Sequence, residues 1–128
     1  MTDQPNQRRV LFVEDEPALR ISYERFFRPR YVMAFASSGA EALARLAEES
    51  PDVVVLDMRL PDTAGVRHGL DAVTLRRIRE ARPTVPVIIT TAYVSVEPQL
   101  HVLDLAHSAY LIKPFDLDEL GAAIDRAG

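Results

Sequence analysis

The sequence predicts an α/β fold, in which one parallel β-sheet carries helices on both faces. The chain has 128 residues, the length of one ordinary domain, and 48% of them are hydrophobic, which suffices for a single core. Short apolar runs alternate with segments whose apolar residues recur at helical spacing. The central run, Val53-Val54-Val55-Leu56, is mostly β-branched and leads directly into Asp57, a pattern typical of a strand buried on both faces.

Five apolar runs predict five strands. In chain order they cover residues 10–13, 31–36, 53–56, 87–90 and 110–112. A polar residue follows each run at once, which marks the end of the strand. This regular recurrence indicates one sheet built from short strands.

The first two helices have recognisable start and stop signals. Pro17 suits the first turn of a helix, and Pro29 ends that helix. Ser38 and Glu41 match a capping box, with serine at the cap and glutamate three residues later. The residues that recur at helical spacing in the first helix are Leu19, Ser22, Tyr23 and Phe26. The predicted buried stripe of the second helix consists of Ala40, Leu43, Leu46 and Ala47.

Three further helices are predicted from apolar spacing. The third covers residues 70–81, the fourth covers about 97–106, and the last begins at Asp116, where Glu119 completes a second capping signal. Their predicted inward residues are Leu75 and Ile78 in the third, Leu100 and Leu103 in the fourth, and Leu117, Leu120 and Ile124 in the last.

The alternation of strands and helices also predicts the topology. Because crossovers between parallel strands are right-handed, five alternating units form a doubly wound sheet. The flavodoxin-like strand order 2-1-3-4-5 is the simplest choice for five strands. Residues 1–8 are polar and predict a disordered N-terminal tail, and residues 9–127 form the predicted domain.

Composition excludes several classes of protein. The formal net charge of −4 argues against direct nucleic-acid binding by this domain. The absence of cysteine excludes disulfides and thiolate metal sites. No apolar run approaches the roughly 20 residues that span a bilayer, and the polar start does not resemble a signal peptide. These features fit a cytoplasmic protein with no membrane partner.

Polar residues follow four of the predicted strands at one edge of the sheet. Glu14 and Asp15 follow the first, Asp57 the third, Thr91 the fourth and Lys113 the fifth. Since all carboxyl ends of a parallel sheet share one edge, these groups should converge on one pocket. The pocket lies where open α/β sheets bind ligands.

The chemistry of this pocket suits phosphoryl transfer. Three close carboxylates repel one another, and Mg²⁺ is the hard, oxygen-preferring cation that would relieve the repulsion. A lysine and a threonine hydroxyl can contact phosphoryl oxygens. Asp57 can then act as a nucleophile and form an aspartyl phosphate.

These residues resemble the receiver domain of a two-component response regulator, over about residues 9–127. The resemblance rests on four segments, each after a predicted strand: Val13-Glu14-Asp15-Glu16-Pro17, Leu56-Asp57-Met58-Arg59-Leu60-Pro61, Thr90-Thr91-Ala92 and Tyr110-Leu111-Ile112-Lys113-Pro114-Phe115. Each segment alone is a weak signal, whereas the four in this order are specific. The resemblance implies a signalling phosphoacceptor and not an enzyme with a separate substrate; only its own phosphotransfer and autodephosphorylation are expected.

The resemblance assigns the phosphoacceptor and the metal ligands. Asp57 would accept a phosphoryl group from a histidine kinase or a phosphotransfer protein. Glu14, Asp15 and Asp57 would bind Mg²⁺, together with the backbone carbonyl of Arg59. Lys113 would contact the phosphoryl oxygens.

The resemblance also implies a conformational switch. Thr91 would move toward the phosphoryl group, Ala92 would leave room for that group, and Tyr110 would turn inward. The altered face would comprise the predicted fourth helix, the fifth strand and the fifth helix, and an output domain or partner protein would bind there. The sequence does not decide whether this face forms a homodimer. It also does not decide whether the domain stands alone or belongs to a longer chain.

Three features depart from the family pattern. Glu14 stands where the family often has aspartate. Asp57 and Thr91 are 34 positions apart, a few more than usual, and the excess falls in residues 62–74, near the pocket. The fifth strand is preceded by Ala106-His107-Ser108-Ala109, which lacks the usual glycine.

Other readings of the sequence remain open at this point. A receiver-like platform that binds proteins without phosphorylation is the main alternative, because the longer loop could cover the pocket. A phosphatase of the haloacid dehalogenase type needs Asp-x-Asp at the nucleophile, but Arg59 occupies the second position. A flavin-binding module is disfavoured because acidic residues follow the first strand, where hydroxyl and amide groups would be needed to bind a phosphate.

Overall fold

The computed structural model describes residues 7–57, 72–91 and 108–127. It contains five strands: β1 (Arg9–Val13), β2 (Val32–Ala36), β3 (Val53–Asp57), β4 (Val87–Thr91) and β5 (Ser108–Ile112). Its helices are α1 (Pro17–Phe27), α2 (Gly39–Glu49), α3 (Ala72–Ala81) and the C-terminal helix (Leu117–Arg126). The first six residues of the predicted tail and the predicted helix at 97–106 lie outside the described residues.

The five strands form one parallel sheet in the order β2-β1-β3-β4-β5, which confirms the predicted fold class and topology. Every residue of β3 is buried, as its β-branched composition predicted. In the described ranges, no helix is both long and apolar enough to cross a membrane.

Two hydrophobic cores lie on opposite faces of the sheet, because successive side chains of a strand point to opposite sides. On one face, Val54, Leu56 and Ile89 pack with residues of α2 and α3. On the other, Val55 and Ile88 pack with residues of α1 and the C-terminal helix. We call this second side the α1 face. Burial of each large apolar side chain contributes about 1.5–3 kcal/mol.

The structure identifies the buried side of α1 and corrects the predicted buried side of α2. In α1 the buried aromatics are Tyr23 and Phe27, whereas Phe26 is 39% exposed. The ring of Phe27 stacks on Phe12 of β1, at 5.9 Å between centroids. Helical spacing allows either of two adjacent phenylalanines to follow Tyr23, and contact with the sheet selects Phe27.

In α2 the fully buried residues are Ala42 and Leu46, with Leu43 partly buried. The prediction of Ala40 and Ala47 as buried was wrong, since both are exposed. Alanine exposes too little apolar area to fix the rotation of a helix. Leu46 therefore sets the orientation, and Ala42, one turn earlier, is buried with it.

The predicted capping box at the start of α2 forms with one changed partner. Ser38 Oγ accepts a hydrogen bond from the backbone N–H of Glu41 at 3.1 Å. The Glu41 carboxylate accepts from the backbone N–H of Ser37, at 2.7 Å, instead of from Ser38. In the C-terminal helix, Glu119 accepts from the backbone N–H of Asp116 at 3.1 Å, as predicted.

Candidate functional site

The carboxyl edge of the sheet brings Glu14, Asp57 and Lys113 together. Asp57 is the last residue of β3, while Glu14 and Lys113 directly follow β1 and β5. The parallel register aligns these strand ends, with Val13 opposite Leu56 and Asp57 opposite Thr90. The strands thus deliver two carboxylates and one ammonium to the predicted position.

Lys113 is the centre of the charged contacts. Its Nζ lies 3.1 Å from Oδ1 of Asp57 and 3.7 Å from Oε1 of both Glu14 and Glu16. Glu14 and Asp57 are buried, at 1% and 3% exposure, and the Lys113 side chain is 21% exposed. The contacts with Glu14 and Asp57 therefore operate in a poorly solvated environment, in which they are stronger than a surface ion pair, whereas the Glu16 side chain is 58% exposed.

Burial and neighbouring charge alter the acid–base behaviour of the site. Burial, followed by the charge of Asp57, raises the pKa of Glu14 to about 7, although Lys113 opposes the rise. Burial disfavours the charged form of Lys113, but the charges of Asp57 and Glu14 outweigh this effect and raise its pKa above the ordinary value. The site therefore holds more negative charge than one lysine balances.

The carboxylates are arranged so that they could hold a metal ion. Glu14, Asp15 and Asp57 each offer one oxygen, and these oxygens all lie within 4.8 Å of one another. Oε1 of Glu14 is buried and accepts no hydrogen bond within the described part of the chain. An oxygen-only donor set with excess negative charge fits Mg²⁺.

The other predicted site residues are less fully described. Thr91 is the last residue of β4 and Tyr110 is the third residue of β5, but their side chains lie outside the described part of the structure. Arg59 and Ala92 lie outside the described residues altogether. The roles predicted for these four residues stay predictions.

Glu16 contacts Lys113, although the sequence interpretation did not assign Glu16 to the pocket. It precedes α1 as the N-cap residue, without a capping hydrogen bond from its side chain. Its carboxylate instead lies 3.7 Å from Nζ of Lys113. The signal available in the sequence was the run of three acids, Glu14-Asp15-Glu16, but a run does not show which member faces inward.

Comparison with known proteins identifies similar chains among bacterial regulators. The regulatory protein AtoC of Escherichia coli is 36% identical over 120 residues, which cover 93% of this chain and 25% of AtoC. The transcriptional regulatory protein TrcR of Mycobacterium tuberculosis is 37% identical over 122 residues, covering 91% of this chain and 43% of TrcR. The chain thus spans about a quarter of AtoC and less than half of TrcR.

Solved structures share the fold over nearly the whole chain. The receiver domain of nitrogen regulatory protein C in its apo form has 31% identity and a TM-score of 0.75, covering 94% of this chain and 93% of that one. The response regulator TrrA from Thermotoga maritima, in complex with Mg(2+)-BeF, has 27% identity and a TM-score of 0.73. That match covers 93% of this chain and 97% of TrrA.

The family model for the response regulator receiver domain matches residues 10–125. This range contains the acidic edge of the sheet and all five strands except Arg9, the first residue of β1. The chain therefore belongs to the response regulator receiver domain family of two-component signalling.

Proposed function

We propose that Asp57 is the phosphoacceptor of this receiver domain. The observation that carries the proposal is the pairing of Asp57 with Lys113 at 3.1 Å, beside the carboxylates of Glu14 and Asp15. A nucleophilic carboxylate, a fixed cation and a cluster of possible metal ligands thus occur at one sheet edge. Phosphoryl transfer requires this combination of positioning and charge neutralisation.

The donor would be a phosphohistidine of a sensor kinase or a phosphotransfer protein. A carboxylate oxygen of Asp57 bonds to phosphorus as the phosphorus–nitrogen bond breaks, and the departing imidazole retains the bonding electron pair and takes up a proton. Lys113 orients the Asp57 carboxylate before transfer and pairs with a phosphoryl oxygen afterwards. Hydrolysis of the aspartyl phosphate then returns the domain to its starting state.

The proposed metal ligands are Glu14, Asp15, Asp57 and the backbone carbonyl of Arg59. The oxygens of the three carboxylates lie close enough to share one cation, and Glu14 Oε1 lacks a hydrogen bond from the described residues. The Mg(2+)-BeF complex of the related TrrA supports the choice of Mg²⁺. When bound, Mg²⁺ offsets negative charge on the phosphoryl oxygens.

Phosphorylation would act on a conformational equilibrium that already exists. We propose that Thr91 contacts the phosphoryl group, that Ala92 provides space for it, and that Tyr110 turns inward as Thr91 moves. The face that contains β5 and the C-terminal helix, with the segment between β4 and β5, would then bind an output domain or another partner. Comparison of NMR spectra recorded before and after phosphorylation tests this sequence of events.

The direct test is incubation with acetyl phosphate and Mg²⁺, followed by measurement of intact mass. The wild-type protein should gain one phosphoryl group, and Asp57→Asn should gain none. Asp52→Asn is a matched control, because Asp52 lies just before β3 and its carboxylate accepts a hydrogen bond from Arg9 N. This control should be modified like the wild type.

Two results would count against the proposal. Modification of Asp57→Asn at a single site would move the phosphoacceptor elsewhere. If the wild-type protein gained no phosphoryl group and bound no Mg²⁺ in a titration, the phosphorylation-independent binding platform would become the preferred function.

A further inference from the structure

Three buried side-chain oxygens near the phosphoacceptor have no hydrogen-bond partner in the described part of the structure. They are Oε1 of Glu14, Oη of Tyr23 and Oγ1 of Thr90. The three residues are at most 1% exposed. Buried oxygens without a hydrogen bond are uncommon in folded proteins. Oε1 of Glu14 has a charged neighbour, Nζ of Lys113 at 3.7 Å, so the hydroxyls of Tyr23 and Thr90 in particular require a physical explanation.

The register of the sheet places Thr90 beside Asp57. The two residues are directly opposite each other on β4 and β3. Val55 and Ile88, two residues earlier on each strand, both point to the α1 face, so the alternation of side chains turns Asp57 and Thr90 to that face as well. Since neighbouring strands lie about 4.8 Å apart, the backbone of Thr90 is adjacent to that of Asp57, and both side chains leave the sheet on the same face.

Tyr23 approaches the same group of residues from α1. Its ring packs against Phe12, at 5.0 Å between centroids, and Phe12 lies two residues before Glu14. Burial raises the pKa of Tyr23, and the charges of Glu14 and Asp57 raise it further. The Tyr23 hydroxyl therefore experiences the field of both carboxylates.

The three oxygens have complementary chemistry. The hydroxyls of Tyr23 and Thr90 can each donate one hydrogen bond, and the carboxylate oxygen of Glu14 can accept one. Phenylalanine and valine would occupy nearly the same volumes without burying a hydroxyl. Two hydroxyls buried beside two carboxylates are thus better explained by hydrogen bonding than by packing.

We propose that Tyr23 and Thr90 are positioning residues for phosphoryl transfer, whose hydroxyls donate hydrogen bonds through one ordered water to the carboxylates of Glu14 and Asp57. This inference rests on the proposed function of Asp57. A buried water with three polar partners is a common element of protein interiors. Such a network holds both carboxylates in fixed orientations on the side of the pocket away from solvent.

The test uses the full chain with the variants Tyr23→Phe, Thr90→Val and Thr90→Ser. The first two each remove one hydroxyl with little change of shape, and the third keeps a hydroxyl at position 90. Three quantities are measured: the midpoint of thermal unfolding, the Mg²⁺ dissociation constant and the rate of phosphorylation by acetyl phosphate.

We expect Tyr23→Phe and Thr90→Val to lower the unfolding midpoint, because each removes a hydrogen bond that a buried group relies on. Both should weaken Mg²⁺ binding and slow phosphorylation by about fivefold, the effect of losing one orienting hydrogen bond. Thr90→Ser should recover most of both losses, since it retains the donor.

Two controls remove buried hydroxyls that do not belong to the proposed network. Tyr31→Phe deletes a hydroxyl that already donates to Asp125, so it should lower the midpoint without changing Mg²⁺ binding or phosphorylation. Thr74→Val alters a buried threonine of α3, a helix that packs on the opposite face of the sheet, and should leave both site measurements unchanged.

A higher unfolding midpoint in Tyr23→Phe and Thr90→Val would overturn the inference, because the two hydroxyls would then lack partners in solution. A lower midpoint with unchanged Mg²⁺ affinity and an unchanged phosphorylation rate would show that the two hydroxyls only stabilise the fold, and this result would also overturn the inference. If the wild-type protein accepted no phosphoryl group, the proposed function would fail. The unfolding midpoints and Mg²⁺ affinities of the variants would still show whether the two hydroxyls form the proposed hydrogen bonds.

Discussion

Nζ of Lys113 lies 3.1 Å from Oδ1 of Asp57, although the two residues belong to strands that are not neighbours. Strand β4 lies between β3 and β5, so the lysine side chain reaches across the end of β4. Neighbouring strands are about 4.8 Å apart, and only a long side chain can cover twice that separation. The contact connects the C-terminal end of β5 to the proposed phosphoacceptor.

Replacing Lys113 with alanine should separate phosphorylation from the conformational switch. Asp57 keeps its carboxylate in Lys113→Ala, so slow phosphorylation by acetyl phosphate should persist. The connection from β5 to the phosphoryl group is lost, so NMR spectra with and without the donor should be nearly the same. Large spectral changes on phosphorylation of Lys113→Ala would show that another residue transmits the signal.

The pKa of Lys113 can be measured without interference, because it is the only lysine in the sequence. Selective ¹³C labelling of lysine should give one side-chain resonance, which titrates above the ordinary value of about 10.4. In Asp57→Asn the pKa should fall toward that value, because the second-largest influence on it, the charge of Asp57, is removed. An unchanged pKa in that variant would argue against the ion pair in solution.

Glu14→Gln should stabilise the metal-free protein at high pH. The pKa of Glu14 is about 7 in the folded protein and 4.5 is its ordinary value, so between these values the folded state holds a proton that the unfolded state has released. Stability therefore falls as pH rises from 4.5 to 7, and the penalty persists above 7. Glutamine avoids that penalty and should raise the free energy of unfolding at pH 8 by about 2 kcal/mol.

Urea unfolding at pH 4 and pH 8 measures this difference, and at pH 4 the gain should largely disappear because Glu14 is protonated in both states. Glu41→Gln is a control, because the pKa of Glu41 is shifted in the opposite direction to that of Glu14. Hydrogen bonds from Ser37 lower the pKa of Glu41, so this variant should not stabilise the protein at pH 8. Equal gains for Glu14→Gln at the two pH values would contradict the interpretation.

Tyr31→Phe should weaken the connection between β2 and the C-terminal helix. The Tyr31 hydroxyl donates to Oδ1 of Asp125 at 2.6 Å, and Tyr31 is 5% exposed. Loss of this hydrogen bond to a charged acceptor should lower the free energy of unfolding by about 1–2 kcal/mol, measured with urea. Arg28→Ala removes an exposed ion pair with Glu24 and should change it by less than about 0.5 kcal/mol.

Much of the fold could be predicted because its signals are local. Apolar runs and helical spacing gave all five strands and the strand order, since right-handed crossovers leave few ways to connect alternating elements. Glu14, Asp57 and Lys113 could be placed in one pocket for the same reason, because each follows a strand of a parallel sheet.

The rotation of the helices was harder to predict. Phe26 and Phe27 are equally apolar, and only contact with Phe12 selects Phe27 for burial. Ala40 and Ala47 fit the helical period but lie on the exposed side of α2. Periodicity along one helix does not specify which part of its surface meets the sheet.

The sequence by itself determined the fold class and the edge at which the charged groups meet, because these depend on the order of apolar and polar residues along the chain. Only the tertiary structure decided that Glu16 approaches Lys113 and that the hydroxyls of Tyr23 and Thr90 are buried on the same face as Asp57. Those relationships depend on strand register and helix packing, which bring together residues that no local pattern connects.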